Sequence, residues 1–421
     1  MNFNTLSPSA KILKKQESYL SGHPVTDKEV PHIAVICAFD GFSGKGLLQN
    51  VLAGIRTSNA AAFVHNVPYF GIVNRVNPMT AKYAPSFYNT FASNAKAIVT
   101  TNMIDGVVII TDCPVTAGGL LHGCLEANCP AVVLPFGQYN AKPGGFVLSV
   151  SSLSIAGRIS TGELTSVDAE EVLKNLGPVM DPGSSFFGLL ETLGLTVKGA
   201  SSNKRLSGAQ LVAAIETGRY AVEMAKDIRT LRKILDKKTW ERITEGTVCS
   251  LGLYYISKLF DANNVKTSLQ NISGTAIGNG FSQPFVGSEE GAGDFSGKAW
   301  VYHDLEEADN ALLSGGIPPK SVVVIKNCVG IDVSGFAYSV MSMNRASEIA
   351  IITDGVCDTT GVLAVTMVSP NSYDNREFAN IQNGDMIDIN TTKGRCNTNI
   401  LSKEMKTREK RNPVRKQAFF F

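Results

Sequence analysis

The chain carries eight cysteines, at positions 37, 113, 124, 129, 249, 328, 357 and 396, and none belongs to a C-x-x-C pair. A thiolate can ligate a metal or attack an electrophile. Either role needs company: further ligands at metal spacing, or a base that takes the proton. Cys124 and Cys129 have neither the spacing nor the His/Cys companions of a zinc site. Cys113 stands apart. It closes the apolar run 104-IDGVVIITDC-113 and precedes 118-GG-119, which puts it at a strand end, where ligands collect in open α/β sheets. The default is still a small buried hydrophobe, because no histidine lies near it in sequence to activate it.

Two further stretches hold side chains suited to binding. In 40-DGFSGKG-46, Ser43 and Lys45 lie between a strand and a helix, where backbone N–H groups can cradle an anion. It is not a Walker A loop, which would need Gly at 39, where Phe stands, and Ser or Thr at 46, where Gly stands; a tight structural turn is the favoured reading. In 353-TDGVCDTTG-361, Asp354, Cys357, Asp358 and two threonines follow a strand, as binding loops and ordinary turns both do. His122 and His303 lack partners at metal-ligand spacing and default to solvated or core residues.

The elements that position these residues follow from hydrophobic patterning. The run 32-HIAVICAF-39, a Gly-rich turn and LLQNVLAGIRTS open an α/β unit. The order recurs: a short run 67-VPYFGIV-73, a helical stretch from Ser86 to Ala97, a strand 106-GVVIIT-111, a helix from Gly118 to Ala127, and a strand 130-PAVVLPF-136. Such alternation predicts a parallel sheet flanked by helices. Asp168 to Leu195, Gly208 to Lys237 and Leu251 to Phe260 read as helical, with apolar stripes that pack on a core. After 261-DANNVKT-267 the character changes to short β-like runs (299-AWVYH-303, 321-SVVVIKN-327, 349-IAIITDG-355, 362-VLAVTMVS-369, 386-MIDINTTKG-394) separated by turn signals. The expected organisation is an N-terminal arm (1–30), an α/β domain (31–262), a C-terminal β-barrel-like domain (263–400) and a basic tail (401–421).

Bulk composition narrows the function class. The chain has 421 residues, room for two or three domains, with 44% hydrophobic and 18% charged residues, an ordinary globular profile. Lys+Arg 39 against Asp+Glu 37 gives no overall basic character for nucleic acid. The basic run 402-SKEMKTREKRNPVRKQAFFF-421 reads as a solvated tail rather than a nucleic-acid or membrane arm. No apolar stretch reaches the roughly eighteen residues of a membrane span, and the N-terminus lacks the apolar core of a signal peptide. Cysteines inside apolar runs suit a reducing compartment. A cytoplasmic protein with neither nucleic-acid nor membrane partners is expected.

The order of motifs resembles a known family. The run 105-DGVVIITDCPVTAGGLLHGCLEANCPAVVLPFG-137 resembles, without a gap, the core segment of the dihydroxy-acid and sugar-acid dehydratases (the IlvD/Edd family). There the family reads D-G-V-x-x-x-x-x-C-D-K-x-x-P-G, a helix, then R-P-A-x-x-x-x-x-G. The segments 83-YAPSFYNTFASNAKAIVTTNMIDG-106, 188-GLLETLGLTVKGAS-201, 304-DLEEADNALLSGGIPPKSVVVIK-326 and 351-IITDGVCDTTGVLAVTMVSP-370 are similar to family segments in the same order. The likeness touches both domains and most of the chain.

The resemblance implies removal of water from a 2,3-dihydroxy acid. An iron–sulfur cluster held by three cysteines acts on the leaving hydroxyl, a Mg²⁺ held by acidic residues and a modified lysine grips the substrate, and a serine takes the proton. Of the implied ligands, Cys113 stands where the central cluster cysteine stands. The first cluster cysteine falls in 43-SGK-45 and the third in 175-NLGPVMDPGSSFFG-188, neither of which contains one. The Asp and Lys of C-D-K become Pro114 and Val115, and the family's S-D-G falls on Phe70, Gly71 and Ile72. The acidic residue of R-Y-E-G-P falls on Cys328, and the serine falls near Cys357 and Asp358. One thiolate does not hold such a cluster, and apolar side chains do not ligate Mg²⁺. The expectation is therefore a diverged protein with no iron–sulfur or Mg cofactor and no metal site. Asp358 and Asp112 are its catalytic candidates, and Cys113 is a relic of the cluster site. Ser43, Lys45, Thr116, Cys328 and Cys357 are pocket candidates. Two functions follow: a hydro-lyase acting on a small hydroxy acid, or a non-catalytic paralogue that binds a small hydroxy or keto acid or serves as a partner subunit. The resemblance implies a homodimer or tetramer.

Overall fold

Buried β-strands dictate the layout in both halves of the chain. The computed structural model describes residues 7–20, 30–39, 42–68, 82–137, 157–168, 184–244, 251–267, 275–277, 283–285, 294–357 and 361–411. In the first half, β1 (His32–Cys37), β2 (Ala61–Asn66), β3 (Gly106–Ile110) and β4 (Ala131–Leu134) form a parallel sheet in the order β2-β1-β3-β4. Strands β1, β3 and β4 are buried at every residue, as expected for a parallel sheet covered on both faces. The helices of this half are α1 (Pro8–Leu20), α2 (Phe42–Thr57), α3 (Ala84–Thr101), α4 (Pro114–Glu126), α5 (Ser184–Thr192), α6 (Gly208–Lys226), α7 (Leu231–Ile234), α8 (Lys237–Thr244) and α9 (Leu251–Ala262), and α2, α3, α4 and α6 pack directly on the sheet.

Small residues set how closely these helices approach. A Cβ on Gly54 of α2 would lie 2.1 Å from the Ile215 carbonyl oxygen of α6, and one on Gly218 of α6 would lie 2.3 Å from the Val51 oxygen of α2. The same holds for α4 on α3, where a Cβ at Gly123 would lie 2.1 Å from the Ala92 oxygen. Helix α1 has the reverse of the usual polarity. Its inward face carries Lys14, paired with Asp105 at 2.5 Å, and Ser18, hydrogen-bonded to His32, while Ile12, Leu13, Tyr19 and Leu20 point to solvent.

The second half is a mixed seven-stranded sheet curled into a half-barrel, in the order β11-β10-β6-β7-β8-β9-β5. Its strands are β5 (Gln283–Phe285), β6 (Phe295–Tyr302), β7 (Ser321–Ile325), β8 (Ile349–Thr353), β9 (Ala364–Thr366), β10 (Met386–Asn390) and β11 (Arg395–Thr398). Strands β6 to β9 run parallel and the outer pairs are antiparallel. One face carries a cluster of its own, with Val322, Val324, Ile352, Val365, Ile387 and Ile389. The other face lies under α10 (Leu305–Leu313) and α11 (Ser334–Ser342) and merges with the core of the first half. At the junction the Tyr255 hydroxyl of α9 donates to the Gly330 carbonyl oxygen at 3.1 Å, and the Tyr88 ring of α3 stacks on Tyr255 at 5.6 Å.

The predicted architecture, a helix-flanked parallel sheet followed by a barrel-like sheet, is the one observed. Four local expectations need correction. The second strand is β2 at Ala61–Asn66, not 67–73, of which residues 69–73 lie outside the described residues. As an edge strand only its first residue is fully buried, so it lacks a continuous apolar run. The 40–46 stretch is not a loop throughout, because α2 begins at Phe42 and Gly44 lies too close to the Phe39 ring for any side chain. Helix α4 begins at Pro114, four positions before Gly118, since proline is well suited to a first helical turn. The basic run is not a free tail up to residue 411: α12 (Ser402–Arg411) buries Met405, and Arg408 grips Asp385 with two hydrogen bonds of 2.7 and 3.1 Å. No helix among the described residues is long and apolar enough to cross a membrane.

Candidate functional site

The carboxyl edge of the first sheet is built where β3 ends. Thr111 Oγ1 accepts the Cys113 N–H at 3.3 Å and turns the chain into α4. This leaves Asp112 at the lip, its carboxylate 3.6 Å from Arg205 Nη1, with side chains only 7% and 16% exposed. The Arg205 guanidinium also lies 4.7 Å over the Phe136 ring, just past β4, and Phe39, just past β1, packs edge-on to Phe136 at 5.7 Å. Gln210 Nε2 donates to the Pro135 carbonyl at 2.6 Å and holds this corner to α6. The result is a planar cation set beside an aspartate at the ends of three strands. Guanidinium geometry suits bidentate binding of a carboxylate. Arg205 was not singled out from sequence, because it sits in a loop far along the chain from Asp112, and only its place two residues before the N-cap Ser207 hinted at a fixed position.

The second sheet has its own edge cluster. Asp354, just past β8, is 3% exposed and accepts the Cys328 N–H at 2.8 Å, the Ser372 N–H at 3.1 Å and the Ser372 hydroxyl. Burial pushes its carboxyl up, against the pull of these hydrogen bonds. Burial likewise pushes the Tyr373 hydroxyl up to about 12, with Asp354 and Cys328 adding to it. The Cys328 thiol donates to the Lys326 carbonyl at 3.4 Å and is raised well above its ordinary range, first by burial and then by Asp354.

The remaining candidates divide plainly. Cys113, Thr116, Cys328 and Cys357 are all buried, with Thr116 in the first turn of α4. Lys45 is exposed on α2. The side chain of Ser43 and the whole of Asp358 lie outside the described residues. His122 bonds the Tyr88 hydroxyl at 3.1 Å, a structural partner. Among the described residues, Asp112 is the catalytic candidate that the structure sets beside a cation.

Comparison with known proteins bears on both halves at once. The family model for the dihydroxy-acid/6-phosphogluconate dehydratase N-terminal region matches residues 34–247, and its C-terminal counterpart matches residues 256–420. The chain belongs to this dehydratase family. Among its relatives, the dihydroxy-acid dehydratase of Thermodesulfovibrio yellowstonii is 24% identical over 238 residues, covering 53% of this chain and 43% of that protein. That of Endomicrobium trichonymphae is 23% identical over 368 residues, 79% of this chain and 61% of the relative. That of Flavobacterium psychrophilum is 20% identical, with 96% and 94% covered. Over the first of these, the chain spans less than half the length of the curated relative it matches.

The dehydratase family implies an iron–sulfur cluster and Mg²⁺, and the donor set among the described residues does not fit them. Cluster ligation needs several deprotonated thiols. The seven cysteines among the described residues are buried and unlinked by disulfides, and Cys113 is the one that stands at a position of the family's cluster ligands. Pro114 and Val115, buried in α4, offer no donor atoms where the family has Asp and Lys. Among the described residues, no three His, Cys, Asp or Glu side chains are grouped to hold a metal ion.

Proposed function

We propose that this dehydratase-family protein is a diverged hydro-lyase for a small hydroxy acid in a specialised biosynthetic pathway, working without the iron–sulfur and Mg chemistry of its family. The observation that carries the reading is the Asp112–Arg205 pair at the carboxyl edge of the first sheet. A substrate carboxylate would take the Arg205 guanidinium and release Asp112. The neutralised carboxylate makes the adjacent C–H more acidic, and Asp112 would take that proton. The C–H electron pair then forms the double bond as the neighbouring C–O bond breaks. In a 2,3-dihydroxy acid the C3 hydroxide leaves as water with the proton returned by Asp112, and the enol left by the retained C2 hydroxyl becomes a 2-keto acid.

The test is product formation by metal-stripped protein from a panel of 2,3-dihydroxy acids. Keto acid should appear, chelators should leave the rate unchanged, and Asp112→Asn should slow it by about 10²- to 10⁴-fold, the usual worth of a general base. Anaerobically prepared protein with stoichiometric iron and sulfide, and a visible band lost in Cys113→Ser, would overturn the metal-free reading. A second reading, a non-catalytic paralogue that binds a small hydroxy or keto acid, is favoured by the slight exposure of Asp112. Its signature is a thermal shift with acids, lost in Arg205→Met, without turnover by any acid in the panel.

We further propose self-association. The family resemblance carries this part, and the outward stripe of Ile12, Leu13, Tyr19 and Leu20 on α1 offers the apolar area that a second copy would cover. Light scattering should give a mass above 45.0 kDa that falls to this value in Ile12→Asp/Tyr19→Asp. A wild-type protein that is monomeric across concentrations sinks it.

A further inference from the structure

Helix α12 carries a charge pattern for which the Asp112–Arg205 corner has no use. The run 402–421 holds seven Lys and Arg against two Glu. Sequence alone favours a solvated tail, but the structure fixes half of the run as a docked helix with two distinct faces. The inner face buries Met405, and Arg408 donates to Asp385 and to the Asn380 carbonyl oxygen at 3.3 Å. Asn375 Nδ2 donates to the Glu409 carbonyl oxygen at 2.8 Å and holds the far end of the helix.

The outer face is a row of cations. Lys403, Lys406 and Lys410 recur at i, i+3 and i+7, the spacing that puts side chains on one stripe of a helix. All three are exposed, as is Arg411 beside them. Glu404, the acid of the first turn, is taken up by Arg408 at 3.2 Å and leaves the stripe its charge. Among the described residues none of the three lysines pairs with an acid. Lysine heads are compact point charges, better suited to a diffuse anionic surface than to bidentate capture of one anion.

Apolar side chains accompany the cations. Leu401, just before α12, is 77% exposed. Further along the sequence, Phe419, Phe420 and Phe421 follow Arg415 and Lys416. Cations that meet anionic headgroups, beside rings that enter the headgroup–acyl boundary, are the means by which a segment lies on a bilayer without crossing it. Single-stranded nucleic acid is bound instead on ring faces set along a basic groove. Here α12 holds no aromatic residue and the three rings are contiguous.

We propose that α12 and the residues after it dock this protein on an anionic lipid surface, through the Lys403/Lys406/Lys410 stripe and insertion of Phe419, Phe420 and Phe421. The attachment is peripheral and reversible. It uses neither Asp112 nor Arg205, so it stands or falls separately from the function proposed above.

Sedimentation of the full chain with phosphatidylcholine vesicles, with and without phosphatidylserine, tests it. The wild type should bind the anionic vesicles at least tenfold more tightly than the neutral ones. Added salt should weaken that binding, because exposed charges are screened. Lys403→Gln/Lys406→Gln/Lys410→Gln should bind at least tenfold more weakly, while Lys403→Arg/Lys406→Arg/Lys410→Arg binds as the wild type does. Phe419→Ser/Phe420→Ser/Phe421→Ser should also lose affinity. Circular dichroism checks that each variant is folded, and the lysines are exposed in the wild type. Equal binding to both vesicles, binding to neither, unchanged binding in the Gln or Ser variant, or a loss in the Arg variant equal to that in the Gln variant each overturns the proposal. Polyuridylate bound more tightly than the anionic vesicles overturns it too, and assigns the stripe to nucleic acid.

Discussion

Arg205 owes its position to two different neighbours, the Asp112 carboxylate and the Phe136 ring. Removing the guanidinium takes one cation from a carboxylate that is only 7% exposed. Arg205→Met should cost about 3 kcal/mol, at the low end for breaking a buried pair. Asp112→Asn/Arg205→Met should cost less than the sum of the single variants, because the two side chains share one interaction. Urea denaturation of the four proteins checks both statements. A second residue-scale prediction concerns pH. Burial lowers the His122 pKa, with Lys258 and Lys96 adding and Glu126 opposing, and burial lowers that of His65 as well. Below the ordinary histidine value near 6.5 the unfolded chain therefore binds more protons than the folded one, so stability falls as pH drops through that value. The midpoint of thermal unfolding should decrease from pH 7 to pH 5.5, and by less in His122→Gln. At this scale the sequence showed Cys113, Cys328 and Cys357 because motif order placed them. It did not show Arg205, whose importance comes only from a fold that carries a distant loop to the end of β3.

At the scale of elements, the helix pairs α2/α6 and α3/α4 test how glycine is used. Gly123→Ala raises helix propensity by up to about 1 kcal/mol, yet its Cβ would meet the Ala92 carbonyl at 2.1 Å, so the helices must part. A net loss of about 1–3 kcal/mol is expected, the range for overpacking. Gly46→Ala, in α2 with nothing within 4 Å of its new Cβ, should instead stabilise by up to about 1 kcal/mol. Chemical denaturation midpoints moving in opposite directions would confirm the contrast. Element types were legible wherever burial was continuous: β1, β3 and β4 lie inside apolar runs and β7 and β8 inside β-like runs that the sequence shows. The half-buried edge strand β2 was not, because its burial alternates. Helix α12 was masked by its charge, since the carboxylate that receives Arg408 is Asp385, outside the basic run.

At the scale of the whole molecule, the two halves share a single contiguous core that runs from Val108 and Leu120 through Tyr255 to Cys328 and Phe336. They should unfold together, in one calorimetric transition. Tyr255→Phe, which deletes the hydroxyl bonded to Gly330, should lower stability by about 1 kcal/mol without splitting that transition. The appearance of two resolved transitions would count against a shared core. That a helix-flanked sheet is followed by a barrel-like sheet could be read from the sequence. How they join could not, because α9 reads only as an apolar helix and nothing local says what it covers.

The seam formed by α9 carries a consequence for shuffling between relatives. The match to the C-terminal family half begins at residue 256, inside α9, whereas Tyr254 and Tyr255 meet the Gly330 turn from the other side of that point. Gly330 has φ +77, and a Cβ there would lie 2.9 Å from the Tyr254 hydroxyl. A hybrid gene spliced at the family boundary would give the turn a foreign helix surface, and the turn has no slack to absorb the difference. Donor and acceptor halves would be compatible only if the tyrosine pair and the glycine turn were inherited as one block.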